Sequence, residues 1–211
     1  MYSHSSYSDA WQMFMGQIDK YFPKETKRYV FIDDDKGIVG KNWTTVLYKD
    51  SDSYNERFSH CLESVTEEYC ILNHEDMPLY SKPNFTELER CLTTLQEQQG
   101  LDYIKLIKGG ELRDISYNNI PNIFEIPHDS NCIFAVQPTL WKTDRLRLVY
   151  NKTKVNHIRE FEPLSQQVCR DNSIHGAYYF NSEPLRGLFH HDSSIYPYVA
   201  TAIVKGRWNL A

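Results

Sequence analysis

The feature that most constrains this chain is a repeated alternation of short apolar runs, acidic stops and helical stretches. Residues 28–32, Arg-Tyr-Val-Phe-Ile, form a compact strand closed by Asp33-Asp34-Asp35. Residues 68–72, Glu-Tyr-Cys-Ile-Leu, run straight into Asn73-His74-Glu75-Asp76. Before and between them lies helical periodicity. In 10–21, Trp11, Met13, Phe14, Ile18 and Tyr21 recur on a period near 3.6, with Asp9 as cap and Pro23 past the end. Residues 54–65 turn Phe58, Leu62 and Val65 inward behind Asp52 or Ser53, and Asn84 caps a helix over 85–98, closed by Gly100. Residues 43–48, 103–107, 123–126 and 132–137 read as further strands, and short helices are expected from Thr143 and over 163–169. The last third is less regular: 176–180, then His190-His191-Asp192, then a strand-like 199–205. Strands alternating with helices predict an α/β fold.

No repeat, low-complexity tract or linker interrupts the 211 residues, so one domain over 1–211 is expected. The chain stops three residues after Trp208. One reading of that end is a domain cut from a longer polypeptide, of which 1–211 would be the N-terminal part. A formal charge of −5 argues against a general nucleic-acid binder, which needs a basic face. No apolar run approaches the length of a membrane span, and the start Met1-Tyr2-Ser3-His4 lacks a signal peptide's charged and apolar regions. The expected location is the cytoplasm. The 5 cysteines are odd in number and form no Cys-x-x-Cys pair, so reduced thiols are expected. The 15 tyrosines either fill the core or offer rings on which sugars and bases stack.

Ligands of open α/β sheets bind beyond the carboxyl ends of strands. Asp33-Asp34-Asp35 and Glu75-Asp76 lie at two such ends. Carboxylates there can hold a hard divalent cation that bridges phosphate oxygens; a solvated acidic turn is the alternative. His190-His191-Asp192 forms a second possible ligand set, of which only one histidine would reach a given ion. Lys205-Gly206-Arg207-Trp208 sets two cations about a glycine and could grip a diphosphate. In Arg159-Glu160-Phe161-Glu162-Pro163, read as extended, Glu160 and Glu162 share one face. One of them could take a proton from an acceptor hydroxyl or stabilise positive charge at an anomeric carbon.

Five segments in this order resemble glycosyltransferases of the GT-A type. His4-Ser5-Ser6-Tyr7-Ser8-Asp9-Ala10-Trp11 is similar to their nucleotide-facing serine-rich loop and first helix. Residues 66–76 look like the strand carrying their Asp-x-Asp motif, and Val136-Gln137-Pro138-Thr139-Leu140-Trp141 resembles their Gln-Pro-x-x-Trp turn. Arg159-Glu160-Phe161-Glu162 is similar to their Trp-Glu-x-Glu segment, and Tyr196-Pro197 with 205–208 to their closing segments. The likeness spans nearly the whole chain. It is closest to the N-terminal domain of a multidomain chlorella-virus glycosyltransferase acting on capsid glycans.

The resemblance implies a GT-A-like, Rossmann-like mixed sheet flanked by helices. It also implies metal-dependent transfer from a UDP-sugar to a glycan or glycoprotein acceptor, with Mn²⁺ or Mg²⁺ as cofactor. Carried over, Asp76 is the metal ligand with Glu75 as neighbour, Ser5, Ser6 and Asp33 lie near the nucleotide, and Gln137, Trp141 and Glu160 line the sugar or acceptor side. The reading of the residues themselves adds His191 as a metal ligand, Lys205 and Arg207 at the diphosphate and His190 on the substrate side. It gives the catalytic roles to Glu160, Glu162 and Asp192. Two departures stand out: the motif reads His74-Glu75-Asp76, without its first acid, and Arg159 replaces the tryptophan. The rivals are a non-catalytic sugar- or nucleotide-binding module and a haloacid-dehalogenase-type phosphatase. In the latter, Asp33 would be the nucleophile and Asp35 the acid.

Overall fold

The computed structural model describes residues 1–156, 158–186, 190–199, 202–204 and 207–208; for His190, Ile203, Val204 and Arg207 it describes the backbone alone. A 3-10 turn leads into α1 (Ser8–Tyr21), which buries Trp11, Phe14, Met15 and Ile18 at three- and four-residue spacing. Strands β1 (Tyr29–Ile32) and β2 (Thr44–Leu47) follow. Helix α2 (Tyr54–Leu62) starts behind a capping box of Ser53 and Glu56. After β3 (Tyr69–Leu72), Asn84 caps α3 (Phe85–Glu97) by accepting from the Glu87 N–H at 3.3 Å. Next come β4 (Tyr103–Lys105), β5 (Ile123–Glu125), β6 (Thr139–Lys142), α4 (Thr143–Lys152), α5 (Ile158–Asp171) and β7 (Gly176–Tyr179). The chain closes with β8 (Leu185–Arg186), β9 (His190–His191), β10 (Ile203–Val204) and β11 (Arg207–Trp208).

Two expectations are corrected. Residues 132–137 form no strand; the strand is β6, directly after Pro138. Ile133 and Phe134 are both buried, and a short run of consecutive apolar residues carries no period. The segment around Glu160 and Glu162 is not extended but the first turns of α5. Its buried face is Phe161, Ser165 and Cys169, every fourth residue, and this helical phase overrides Pro163. Residues two apart on a helix do not share a face, so Glu160 and Glu162 point apart.

The main sheet runs β3-β6-β4-β7-β5, with β4 and β7 parallel and the β3–β6, β6–β4 and β7–β5 pairs antiparallel. β1 and β2 form a separate parallel pair. Tyr2 joins the two, bridging Phe31 and His74, both in parallel sense. The resulting path is β2, β1, the Met1–Ser3 segment, then β3 and the rest. All of β1, β2, β3, β4 and β7 thus end on one edge.

Side chains alternate across this sheet and divide the core in two. Val30, Ile32, Ile104, Leu140 and Ala177 face α1 and α3, among Trp11, Phe14, Leu88 and Leu95. Phe31, Tyr103, Trp141 and Tyr178 face α2, α4 and α5, among Phe58, Tyr150 and Phe161. Each such side chain, fully buried, contributes about 1.5–3 kcal/mol. Gly176 pairs with Tyr103 across β4 and β7, and a Cβ at 176 would run into the Tyr103 ring. The five cysteines are free thiols. Among the described residues, no helix is long and apolar enough to cross a membrane.

Candidate functional site

Strand order reverses between Met1–Ser3 and β3: the chain first builds outward to β1 and β2, then crosses back. The crevice at the carboxyl ends of strands flanking such a reversal is where open α/β sheets bind ligands. Here it is bounded by Ser3–Ser6, by Asp33 after β1, by Asp50 just beyond β2, and by Asn73–Asp76 after β3.

On the β1 side, Ser5 donates to Asp33 twice, from its N–H and its hydroxyl, each at 2.6 Å. Burial pulls the Asp33 carboxyl upward, but the Ser5 hydrogen bonds and nearby His4 hold it below its ordinary value. His4 Nδ1 accepts from the Ser6 N–H at 3.0 Å, which leaves Nε2 as the protonated nitrogen. That nitrogen lies 3.6 Å from Asp33 and 3.4 Å from Asp50, and Arg57 pairs with Asp50 at 2.9 Å. Beneath them, Ser3 is fixed by the Trp11 indole N–H at 2.7 Å and by the Tyr48 hydroxyl at 2.8 Å. Sequence reasoning missed His4, Asp50 and Arg57. Asp50 had the same signal as Asp33, an acid just past an apolar strand.

On the β3 side, the turn is held by Asn73, which donates to the Tyr196 hydroxyl at 2.6 Å and accepts from the His74 N–H at 3.0 Å. His74 and Glu75 are each 8% exposed. Burial, seconded by the Met1 ammonium, lowers the His74 pKa to about 3, so the ring is neutral. Burial and then the Asp76 charge push Glu75 up to about 7, and burial raises Asp76 as well. Glu75 Oε2, Asp76 Oδ1 and His74 Nε2 are all buried without a hydrogen-bond partner. Buried polar atoms are almost always satisfied, so three orphans on consecutive residues mark a place built for something else.

Asp76 and His74 open onto a cleft of 260 Å³ whose other wall is Val136, Ile158, Arg159 and Glu162, with Met77. Glu162 Oε1 accepts from the Val136 N–H at 2.6 Å, which orients the carboxylate and pins the loop before β6. Under this loop, Lys105 donates to the Cys132 carbonyl, its pKa lowered to about 8 by burial. The sequence segments around Asp76 and Glu162 therefore meet, as a shared site requires.

The remaining candidates lie as follows. Glu160 is exposed and does not line this cleft. Gln137 is half-buried, with Oε1 orphaned. Trp141 is 1% exposed and stacks on Tyr103 at 4.3 Å, which makes it a core residue rather than a substrate surface. His191 Nδ1 pairs with the Glu183 carbonyl at 2.9 Å, and Asp192 with Arg186 at 2.6 Å, on a hairpin beside Lys108. Lys205 lies outside the described residues, as do the side chains of Arg207 and His190. Asp34 and Asp35 are exposed and spend an oxygen each on the Lys36 and Gly37 N–H groups of a turn, at 3.0 and 2.9 Å. With both Asp33 oxygens bonded to Ser5, this arrangement does not favour the phosphatase reading.

Among the described residues, no three His, Cys, Asp or Glu side chains gather as a complete cation cage. Two orphaned carboxylate oxygens on neighbouring residues still fit a hard cation of the Mg²⁺ or Mn²⁺ kind. Such ions commonly take one or two carboxylates and complete their shell with phosphate and water.

No protein-family model matches the chain, and no curated protein matches it. Solved structures do. The chain is similar to S. aureus TarS 1-349, with a TM-score of 0.54 and 17% identity, over 84% of this chain and 58% of that one. A second S. aureus TarS structure gives 0.54 and 16%, over 86% and 36%. S. aureus TarS 1-349 in complex with UDP-GlcNAc gives 0.53 and 17%, over 87% and 59%. The chain thus spans 58% of the length of TarS 1-349. The fold is α/β and GT-A-like, a central mixed sheet flanked by helices.

Proposed function

We propose that the chain is a glycosyltransferase, moving a sugar from a UDP-sugar to a hydroxyl of a glycan or glycoprotein. The observation that carries this reading is the orphaned Asp76 oxygen at the strand-order reversal, across one cleft from Glu162, with the orphaned Glu75 oxygen on the adjacent residue. The likeness to TarS, one of whose structures holds UDP-GlcNAc, supports it.

In this reading, His4, Ser5 and Asp33 meet the nucleoside at the end of β1, with Ser6 beside them. The diphosphate lies toward Asn73–Asp76. Asp76, with Glu75 beside it, would hold Mn²⁺ or Mg²⁺, and such an ion, when bound, offsets the charge on the departing diphosphate. Glu162, held at one oxygen by Val136, uses the other to take the acceptor's proton. The acceptor oxygen then bonds to the anomeric carbon as that carbon's bond to the diphosphate breaks. Arg159 and Ile158 form the outer lip where the acceptor enters. The chlorella-virus and capsid-glycan context has no support in the comparisons and forms no part of this proposal.

The test is UDP release from UDP-sugars with Mn²⁺ in the presence of candidate acceptors. Asp76→Asn is expected to cut the rate by about 100-fold or more, with the melting temperature within a few degrees of the parent, as for an oxyanion-stabilising group. Full activity in that variant would overturn the assignment.

A further inference from the structure

Facing Asp76 and Glu162 in their cleft is one cation, Arg159. Arg159 and Glu162 stand three residues apart in the first turns of α5, so they share one face of the helix. Side chains lean toward the N-terminus of their helix, so Arg159 reaches past Glu162 to the outer end of the cleft.

Three observations say what Arg159 meets there. First, it is unspent. Other arginines are committed: Arg57 to Asp50, Arg90 to Glu87, Arg145 to Asp102 and Arg186 to Asp192. Among the described residues, the Arg159 side chain has no hydrogen-bond, ion-pair or ring partner. Even Glu162, one turn along, is not paired with it, and Glu162 Oε1 accepts from the Val136 N–H instead. Second, the helix gains nothing from a cation at this position. A positive charge in the first turn opposes the positive end of the helix dipole, and a basic residue preceding its acid is the weaker order for such a pair. A charge kept against the local rules points to a use outside the helix. Third, the surroundings suit a sugar. Ile158, 43% exposed, lines the cleft with Val136 and Met77, an apolar surface for the C–H face of a ring. The orphaned His74 Nε2 opens on the same cleft and can hydrogen-bond a ring hydroxyl. At 260 Å³ the cleft has room for a single sugar residue.

A guanidinium fork recognises an oxyanion, placing two N–H groups on two oxygens of a carboxylate or a phosphate. The chain carries a net charge of −5, so an acidic glycan is repelled by the surface at large and docks only where a local cation receives it. We propose, building on the transferase reading above, that the acceptor is an acidic sugar whose carboxylate or phosphate oxygens pair with Arg159 while its accepting hydroxyl lies at Glu162. Anion and hydroxyl on one ring fix its orientation. Arg159 thus selects the acceptor and takes no part in proton transfer.

The test uses three probes that differ only at C6: methyl glucoside, methyl glucuronide and methyl glucoside 6-phosphate. Each is titrated into the protein saturated with Mg²⁺ and UDP, so that the metal is already occupied, and the amide shifts of Val136 and Arg159 report binding by NMR. The glucuronide, the 6-phosphate or both are expected to bind at least tenfold more tightly than the neutral glucoside. That preference is expected to shrink as salt is raised, as for a partly exposed charge pair. The tighter of the two anions identifies the source as a uronic acid or a sugar phosphate. In Arg159→Gln the preference is expected to vanish, with affinity for the neutral glucoside and the melting temperature unchanged. Equal binding of all three probes by the parent would overturn the proposal, as would a preference that survives in Arg159→Gln. Failure of UDP to bind in the first place would overturn the proposed function and this acceptor class with it.

Discussion

Glu75 and His74 give the β3 turn two opposing responses to pH. Burial holds the Glu75 pKa near 7, above the ordinary 4.5, so between those values the folded state carries more protons than the unfolded. That contribution to stability is largest at low pH and falls as pH rises from 4.5 to 7. His74, lowered from 6.5 to about 3, does the reverse: stability rises with pH from 3 to 6.5. The two largely cancel in the parent protein. Glu75→Gln removes only the falling part. Its stability relative to the parent is expected to grow from near zero below pH 4.5 to as much as about 3 kcal/mol at pH 7. Urea unfolding in EDTA across this range measures it; a difference that stays constant with pH would refute the buried, unpaired carboxylate. The isolated residue was partly legible. Two acids after an apolar run mark a strand end, but the turn that buries them is held by Tyr196 on Asn73 and by Tyr2 against His74, which no local window contains.

At the level of elements, α5 decides which acid reaches the cleft. Both Glu160 and Glu162 stand out in the sequence as a pair flanking Phe161, and an extended reading puts them on one face. The helical phase of Phe161, Ser165 and Cys169 turns Glu162 to the cleft and leaves Glu160 exposed. That phase was hard to read because Pro163 interrupts the pattern and Ser165 breaks the apolar stripe. If Glu162 is the base, Glu162→Gln lowers kcat by about 10²–10⁴-fold. Glu160→Gln should change it less than about twofold, and steady-state kinetics of both variants would expose the opposite ranking. The β4–β7 pair carries a second expectation. With the Tyr103 ring over Gly176, Gly176→Ala is overpacked and costs about 3 kcal/mol. For a chain of this size that is roughly 6–12 °C in melting temperature, read by calorimetry. An unchanged melting temperature would show that the ring moves aside freely.

Over the whole molecule, the α/β class and most helices and strands were legible because each depends on a few consecutive residues. The site was legible only in halves. His4, Asp33, Asp50 and Arg57 converge through the parallel pairing of β1, β2 and Tyr2, and Asp76 meets Glu162 across the sheet. Pairing partners of parallel strands are not written in their own residues. Trp141 shows the same limit from the other side: an aromatic with a polar tip reads equally as core or as sugar platform, and only β6's central position makes it core. In the proposed function, the crevice is the place for a uridine diphosphate held through Asp76. Calorimetric titration of UDP into the purified protein, first with Mn²⁺ and then with EDTA, tests it most directly. Binding is expected with Mn²⁺, weakening at least tenfold in EDTA and lost in Asp76→Asn. No binding of UDP in either condition would contradict it.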